Sequence, residues 1–383
     1  MKFSVLLPTR NGGPFLENCI RSILEQDHDD FELVISDNAN IDDTPAIIRG
    51  FSDNPRLKVI RQTTPISVSE NWTAALQASN GDYVLMMGDD DYLLPGALRR
   101  LGEVLARHGE PDCILYNGYS YVSPNAISDN PASYWAQEHY HYGPDFGKEA
   151  VLERTHRLSI VNDMFHFRQR IPLNMQTTLF ARRAIEKECG SVFQAPFPDH
   201  YLLNALLIAA DKWVYLPERL VVVGVSPKSF GHYFYSQNAG AGLAYLGIST
   251  HFQGAIPGSE LLNGMCAWLL DLKARYPEEL KGIKIDQRGY VRRQVYSWLL
   301  QRRYGGISTG ELASRFASLS IGNWARLLAT AIDGESWRRL GRLLRLRRKS
   351  QAETLWHGLI PLPEIANIRE FAGWLQRQTD GCQ

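Results

Sequence analysis

One feature constrains the fold of this chain more than any other. Along roughly its first hundred residues, short runs of strand formers alternate with stretches whose apolar residues recur at helical spacing. "FSVLLPT" is an apolar run closed by Pro8. "GPFLENCIRSILEQ" then places Phe15, Leu16, Cys19, Ile20, Ile23 and Leu24 on one face of a helix. "FELVISD" predicts a second strand, and "DDTPAIIRGF" opens a second helix with Pro45 near its first turn. "RLKVIRQ", "SVSENWTAALQAS" and "DYVLMMGDD" continue as strand, helix and strand, followed by helix "PGALRRLGEVLARHG" and strand "PDCILYNGY". This order predicts an α/β fold, a mainly parallel sheet flanked by helices. Ligands of such sheets bind beyond the carboxyl ends of the strands. Three of those ends are polar here: "TRN" at 9–11, "SDNA" at 36–39 and "GDDD" at 88–91.

The last of these raises an electrostatic question. Asp89, Asp90 and Asp91 repel one another, and the next basic residue in sequence is Arg99. Either the three side chains point into water or a cation from outside joins them. Mg2+ and Mn2+ prefer oxygen ligands and are often held by one or two carboxylates, with substrate phosphates completing the shell. Asp37 directly follows a strand, where a carboxylate can accept hydrogen bonds from a base N–H or a ribose hydroxyl. Asp42 or Asp43 reads instead as the cap of the helix at Pro45. Thr9 and Asn11 can face the same ligand. In "APFPDHYLLNALL", Asp199 reads as a helix N-cap, as a general base, or as both, with His200 competing for the second role. "SPKSFGHYFYS" groups Lys228, Ser229 and His232 around a glycine, so Lys228 could meet a phosphate and His232 a metal.

At 383 residues the chain exceeds one compact core, which predicts a large domain plus an appendage. No apolar stretch reaches the ~20 residues of a membrane-spanning helix. The apolar run of "MKFSVLLPTR" is too short for a signal peptide and reads as a strand. The five cysteines are scattered, without a C-x-x-C pair, as expected of free thiols in a reducing compartment. From about 122 to 169 the periodicity weakens, which predicts an insertion or flap. After about residue 240 the pattern is helical. Net charge is zero but uneven: residues 268–349 carry 18 Lys plus Arg against 7 Asp plus Glu. Within them, "WRRLGRLLRLRRKS" sets Trp337, Leu340 and Leu344 on one helical face, and Arg338, Arg342, Arg345 and Lys349 on another. Such a helix suits an anionic membrane surface, or packs by its leucines as a solvated helix. It fits nucleic acid poorly, because few aromatics interleave with the charge.

Taken together, "SVLLPTRNGGPFLENCIRSILEQ", "FELVISDNANIDDT", "ENWTAALQASNGDYVLMMGDDDYLLPGAL" and "FPDHYLLNALL" resemble the family 2 glycosyltransferases of GT-A fold in order and spacing. The resemblance spans about residues 1–235, leaving 236–383 as a mostly helical C-terminal domain or extension. It implies an inverting transferase using a nucleotide-diphosphate sugar, UDP-linked by preference, and Mg2+ or Mn2+. Thr9, Asn11, Asp37 and Asp89 would then bind the nucleotide. Asp90, with Asp91 and His232, would hold the metal, and Asp199 would be the base. Two departures stand out. Gly88 occupies the first place of the usual Asp-x-Asp-Asp, and "SPKSFGHYF" lacks the Arg-x-His of many members. The acceptor expected is a glycan or lipid-linked glycan, met in the cytoplasm or at the inner membrane face. The alternatives are a sugar-phosphate nucleotidyltransferase, for which "PTRNGGPF" is a poor phosphate loop, and an inactive nucleotide-sugar-binding subunit.

Overall fold

The computed structural model describes residues 1–126, 132–137, 147–171, 173–186, 192–227, 229, 253–303, 305–345 and 359–380. The alternation folds into a parallel block. Strand β1 (Phe3–Thr9) lies between β2 (Phe31–Asp37) and β4 (Tyr83–Met86), parallel to both, and β2 carries β3 (Leu57–Arg61) on its far side, also parallel. Strands β1, β2 and β4 are apolar and buried along nearly their whole length, as strands covered on both faces must be. Helices α1 (Gly13–Leu24), α2 (Thr44–Arg49), α3 (Val68–Ala78) and α4 (Ala97–Arg107) connect or follow these strands. Helix α3 opens with a reciprocal capping box between Ser67 and Glu70. At α2 the side-chain bond comes from Asp42, whose Oδ1 accepts the Thr44 N–H at 3.1 Å, while Asp43 holds the cap position without one.

Beyond β4 the sheet becomes mixed. Strand β6 (Cys113–Val122) does not join β4. Between them runs β9 (Thr178–Ala181), antiparallel to both. Strand β10 (Trp213–Val225) is parallel to β6 and antiparallel to β5 (Tyr92–Leu93) and β8 (Ala150–Val151). The 122–169 stretch, expected to be an insertion or flap, supplies in its described part β7 (Ser133–Ala136), β8 and helix α5 (Arg154–Phe165). Helix α5 escaped the periodicity because Arg157 lies on its buried face. There its guanidinium donates to the carbonyls of Leu207 (3.0 Å) and Ala210 (2.6 Å), at the end of helix α7 (Pro198–Ala209). The short α6 (Arg182–Glu186) follows β9.

The C-terminal region is mostly helical but not separate from the sheet. Helix α8 (Glu260–Arg275) puts Trp268, Leu269 and Leu272 into the same core as β1 and β2. Helices α9 (Gln287–Arg303), α10 (Thr309–Ala317) and α11 (Ile321–Ala329) gather around Tyr290, Val291, Val295 and Trp298, and α12 (Gly334–Arg345) follows. The chain then returns. Strand β11 (Ile360–Leu362) pairs with β7, and helix α13 (Ile368–Asp380) stacks Phe371 on Tyr121 at 5.3 Å between ring centroids. Ser133 Oγ fastens this strap through the carbonyls of Leu362 (2.6 Å) and Ile365 (2.7 Å). Among the described residues no helix is long and apolar enough to cross a membrane. Cys19, Cys113 and Cys266 are free and buried, while Cys189 and Cys382 lie outside the described residues.

Candidate active site

The polar ends of β1, β2 and β4 meet at one edge of the parallel block. Thr9, the last residue of β1, donates its hydroxyl to Asp89 Oδ2 at 2.7 Å. A Cβ on Gly12 would stand 2.6 Å from the Thr9 hydroxyl and 2.7 Å from Asp89 Oδ2, so the loop after β1 approaches this pair as only glycine allows. Asn11, in a left-handed conformation (φ 55°), accepts the Ile41 N–H at 3.1 Å and gives its own N–H to Asn40 Oδ1. Asp37, the last residue of β2, is buried. Its Oδ1 accepts the Asn40 N–H (2.9 Å), and Arg61 Nε lies 3.5 Å from Oδ2. Beside it, Pro8, Arg10, Asn38, Ile66, Val68, Asn71 and Trp72 line a small hollow.

The three consecutive aspartates have different surroundings. Asp90 accepts the Ser229 hydroxyl at 2.6 Å, which ties the loop after β4 to the segment after β10. Burial raises its pKa, opposed by the hydroxyls of Ser229 and Ser226. Asp91 is turned inward and only 1% exposed. Its Oδ2 accepts the Gly88 N–H (2.5 Å) and its Oδ1 the Gly224 N–H (2.9 Å). Burial raises its pKa well above its ordinary value, the Asp90 charge adds to this, and the two N–H groups and Gln176 oppose it. Asp91, expected to join Asp90 at a metal, has each of its oxygens bonded to a backbone donor, and through them it pins the loop. The three carboxylates also raise the Cys19 thiol, after burial as the first cause, so Cys19 remains a thiol.

Asp199 sits in the first turn of α7, partly exposed. Phe197 holds the cap position and Pro198 the first helical one, so Asp199 is not the N-cap. Its Oδ1 accepts the N–H of His200 at 2.8 Å. The His200 ring leans on Phe197 (5.7 Å) and Trp268 (6.0 Å), an aromatic environment. The link from α7 to the strand-end cluster is indirect: Phe193, on the loop leading to the helix, meets Trp72 edge-on at 5.4 Å, and Trp72 lines the hollow. Lys228 and His232 lie outside the described residues.

Sequence reasoning missed Gln176, Ser226 and Gly224. Only Gly224 left a trace, a lone glycine inside a strand, which often marks a close backbone approach. A Cβ there would sit 1.8 Å from the Asp90 carbonyl oxygen. Gly224→Ala must push the Asp90 backbone away. The expected cost is about 1–3 kcal/mol, the usual range for an overpacked core. Urea denaturation of the variant against the parent measures it, and an unchanged midpoint would show that the approach is looser than described.

The strand-end cluster stands on a mixed α/β sheet, and part of this region is similar to a known family. Residues 4–174, the parallel block and the strands that follow it, match the family model described as glycosyl transferase family 2. The match ends before α7, so Asp199 lies beyond it. An uncharacterised protein of Mycobacterium tuberculosis is 29% identical over 188 residues, 49% of this chain and 55% of that protein. A GalNAc(5)-diNAcBac-PP-undecaprenol beta-1,3-glucosyltransferase of Campylobacter jejuni is 36% identical over 102 residues, 26% of this chain and 33% of that enzyme. The chain thus spans about half the length of the first relative and a third of the second. Among solved structures, S. aureus TarS 1–349 in complex with UDP-GlcNAc aligns with a TM-score of 0.48 at 14% identity, over 93% of this chain and 89% of that one.

Proposed function

We propose that this protein moves a sugar, with inversion, from a nucleotide-diphosphate sugar to a hydroxyl of a glycan or lipid-linked glycan. The observation that carries the reading is the cluster itself: the end of β1, the loop after β4 and the segment after β10 meet through the Thr9–Asp89 and Asp90–Ser229 bonds, and the end of β2 joins them through the Asn38 N–H, donated to the Thr9 carbonyl at 3.1 Å. Asp37, with the hollow at Asn38 and Trp72, would receive the base and ribose, and UDP is the donor nucleotide favoured. The name of the Campylobacter relative supports a polyprenyl-diphosphate-linked acceptor class.

Metal dependence belongs to this reading. Among the described residues no group of three or more His, Cys, Asp or Glu side chains forms a ready cage. Mg2+ and Mn2+ commonly take one or two carboxylates and leave the remaining positions to water and phosphate oxygens. Asp90 and Asp89 would hold the ion, an all-oxygen set matched to a hard cation. When bound, it supplies Lewis-acid neutralisation of the departing diphosphate. The chain does the rest: Asp91 and Gly224 fix the loop, Thr9 orients Asp89, and Asp199 takes the proton of the acceptor hydroxyl as it attacks from the opposite side.

A panel of nucleotide sugars, assayed for hydrolysis and transfer with Mn2+ and with chelator, tests the reading. Release of nucleoside diphosphate with one donor class, lost on chelation, is the expected result. Pyrophosphate release from a nucleoside triphosphate would move the chain to nucleotidyl transfer, and silence across the panel would make it a binding subunit.

A further inference from the structure

Helix α11 packs Leu327 inward against the Trp298 cluster, yet it carries a second apolar stripe facing solvent. Ile321, Trp324 and Leu328 follow one another at helical spacing, and Ile332 in the next turn extends the row. Ile321 is 89% exposed, Leu328 67% and Ile332 85%. Trp337, Leu340 and Leu344 on α12 are 62%, 41% and 53% exposed and add to the same kind of face. A surface helix normally buries its apolar stripe, and large exposed apolar patches mark interaction sites.

The sequence of this segment is basic. Residues 321–349 contain eight Arg and Lys against two acids. Arg326 and Arg338 are exposed. The acid Asp333 is already engaged by Arg292 (3.0 Å) and Arg288 (3.3 Å), so it cancels none of the outer positive charge. A second copy of this chain would bring like charge against like. Nucleic acid would leave the aliphatic side chains unsatisfied. From the exposed Ile321–Leu328–Ile332–Trp337 row and its arginine border, we infer that this face docks on an anionic lipid bilayer, the apolar row entering the headgroup region and the arginines meeting lipid phosphates. The inference stands whether or not the chain transfers sugar.

Truncation is a poor test, because removing residues from 336 onward would also remove β11 and α13, which the sheet uses. Point variants at exposed positions avoid this. The full chain is floated with phosphatidylcholine vesicles and with vesicles containing phosphatidylglycerol. Two double variants are compared with it: Leu328→Gln with Ile332→Gln, and Arg326→Gln with Arg338→Gln. The parent should float with the anionic vesicles only, and less as salt screens the attraction. The apolar pair should lose at least ~tenfold in binding, since two side chains no longer leave water. The arginine pair should lose its preference for phosphatidylglycerol. All three proteins should melt alike and hydrolyse donor alike in solution, which separates failure here from failure of the transfer reading. The inference is overturned by absence of anionic-vesicle binding, by binding that both variants retain, or by a concentration-dependent dimer that the apolar pair abolishes while no lipid binds.

Discussion

Asp199→Asn should bind donor as the parent does and lose turnover by about 10²–10⁴-fold, the usual contribution of a positioned general base. That loss corresponds to ~3–5.5 kcal/mol of barrier. The substitution keeps size and shape and removes only the ability to hold a proton. It should cost little stability, because a partly exposed carboxylate in a first helical turn contributes about 0.3–1 kcal/mol through the helix dipole. Single-turnover kinetics separate the two effects: the donor affinity term stays and the chemical step falls. His200→Gln is the control. Its ring packs beside Phe197 and Trp268, so the expected change is in stability rather than in the chemical step. Asp199 is not the base if its variant turns over within tenfold of the parent, and a collapse confined to the His200 variant would transfer the role.

How much of this was legible in the sequence follows from where each signal resides. The parallel block was readable because β1, β2 and β4 are buried on both faces, so their apolar runs are continuous, and because α1 keeps its inward residues at helical spacing. Strand β9 was hidden by its brevity, and its antiparallel insertion between β4 and β6 depends on contacts no local pattern encodes. Helix α5 was hidden by the buried Arg157, a charge whose hydrogen bonds to carbonyls near the end of α7 exist only after folding. The three aspartates were legible as a group but not as individuals. What makes Asp91 a pin is the N–H of Gly224, 133 residues further along. What holds Asp90 at the cluster is a serine 139 residues away. Chemistry-bearing residue types can be read from a strand end, but the division of labour among adjacent ones is set by distant partners.

That division makes Asp90 the residue whose removal should separate metal binding from folding most cleanly. Burial raises the Asp90 carboxyl above its ordinary value and, with help from Asp90, raises Asp91 well above its own. An acid whose pKa is raised on folding binds its proton more tightly in the folded chain than in the unfolded one. Without metal, stability therefore falls as pH climbs from the unfolded carboxylate value through the folded one, and the full penalty is present above that window. Asp90→Asn deletes one of the crowded charges and should keep a polar partner for Ser229. The metal-free variant should accordingly melt at or above the parent at pH 7, with a flatter pH dependence. Adding Mn2+ should reverse the order. The parent gains about 2.7 kcal/mol at a hundredfold excess over its Kd, by linkage to the folded state, and its gain should be larger at pH 7 than at pH 5. The variant should gain almost nothing. Metal-dependent donor binding, followed by calorimetric titration, should weaken by at least ~100-fold, since even partners one step removed from a metal are worth 10–100-fold. Equal Mn2+ shifts in parent and variant would mean that the ion, if one binds, sits elsewhere than on Asp90, and the charge crowding after β4 would then need another explanation.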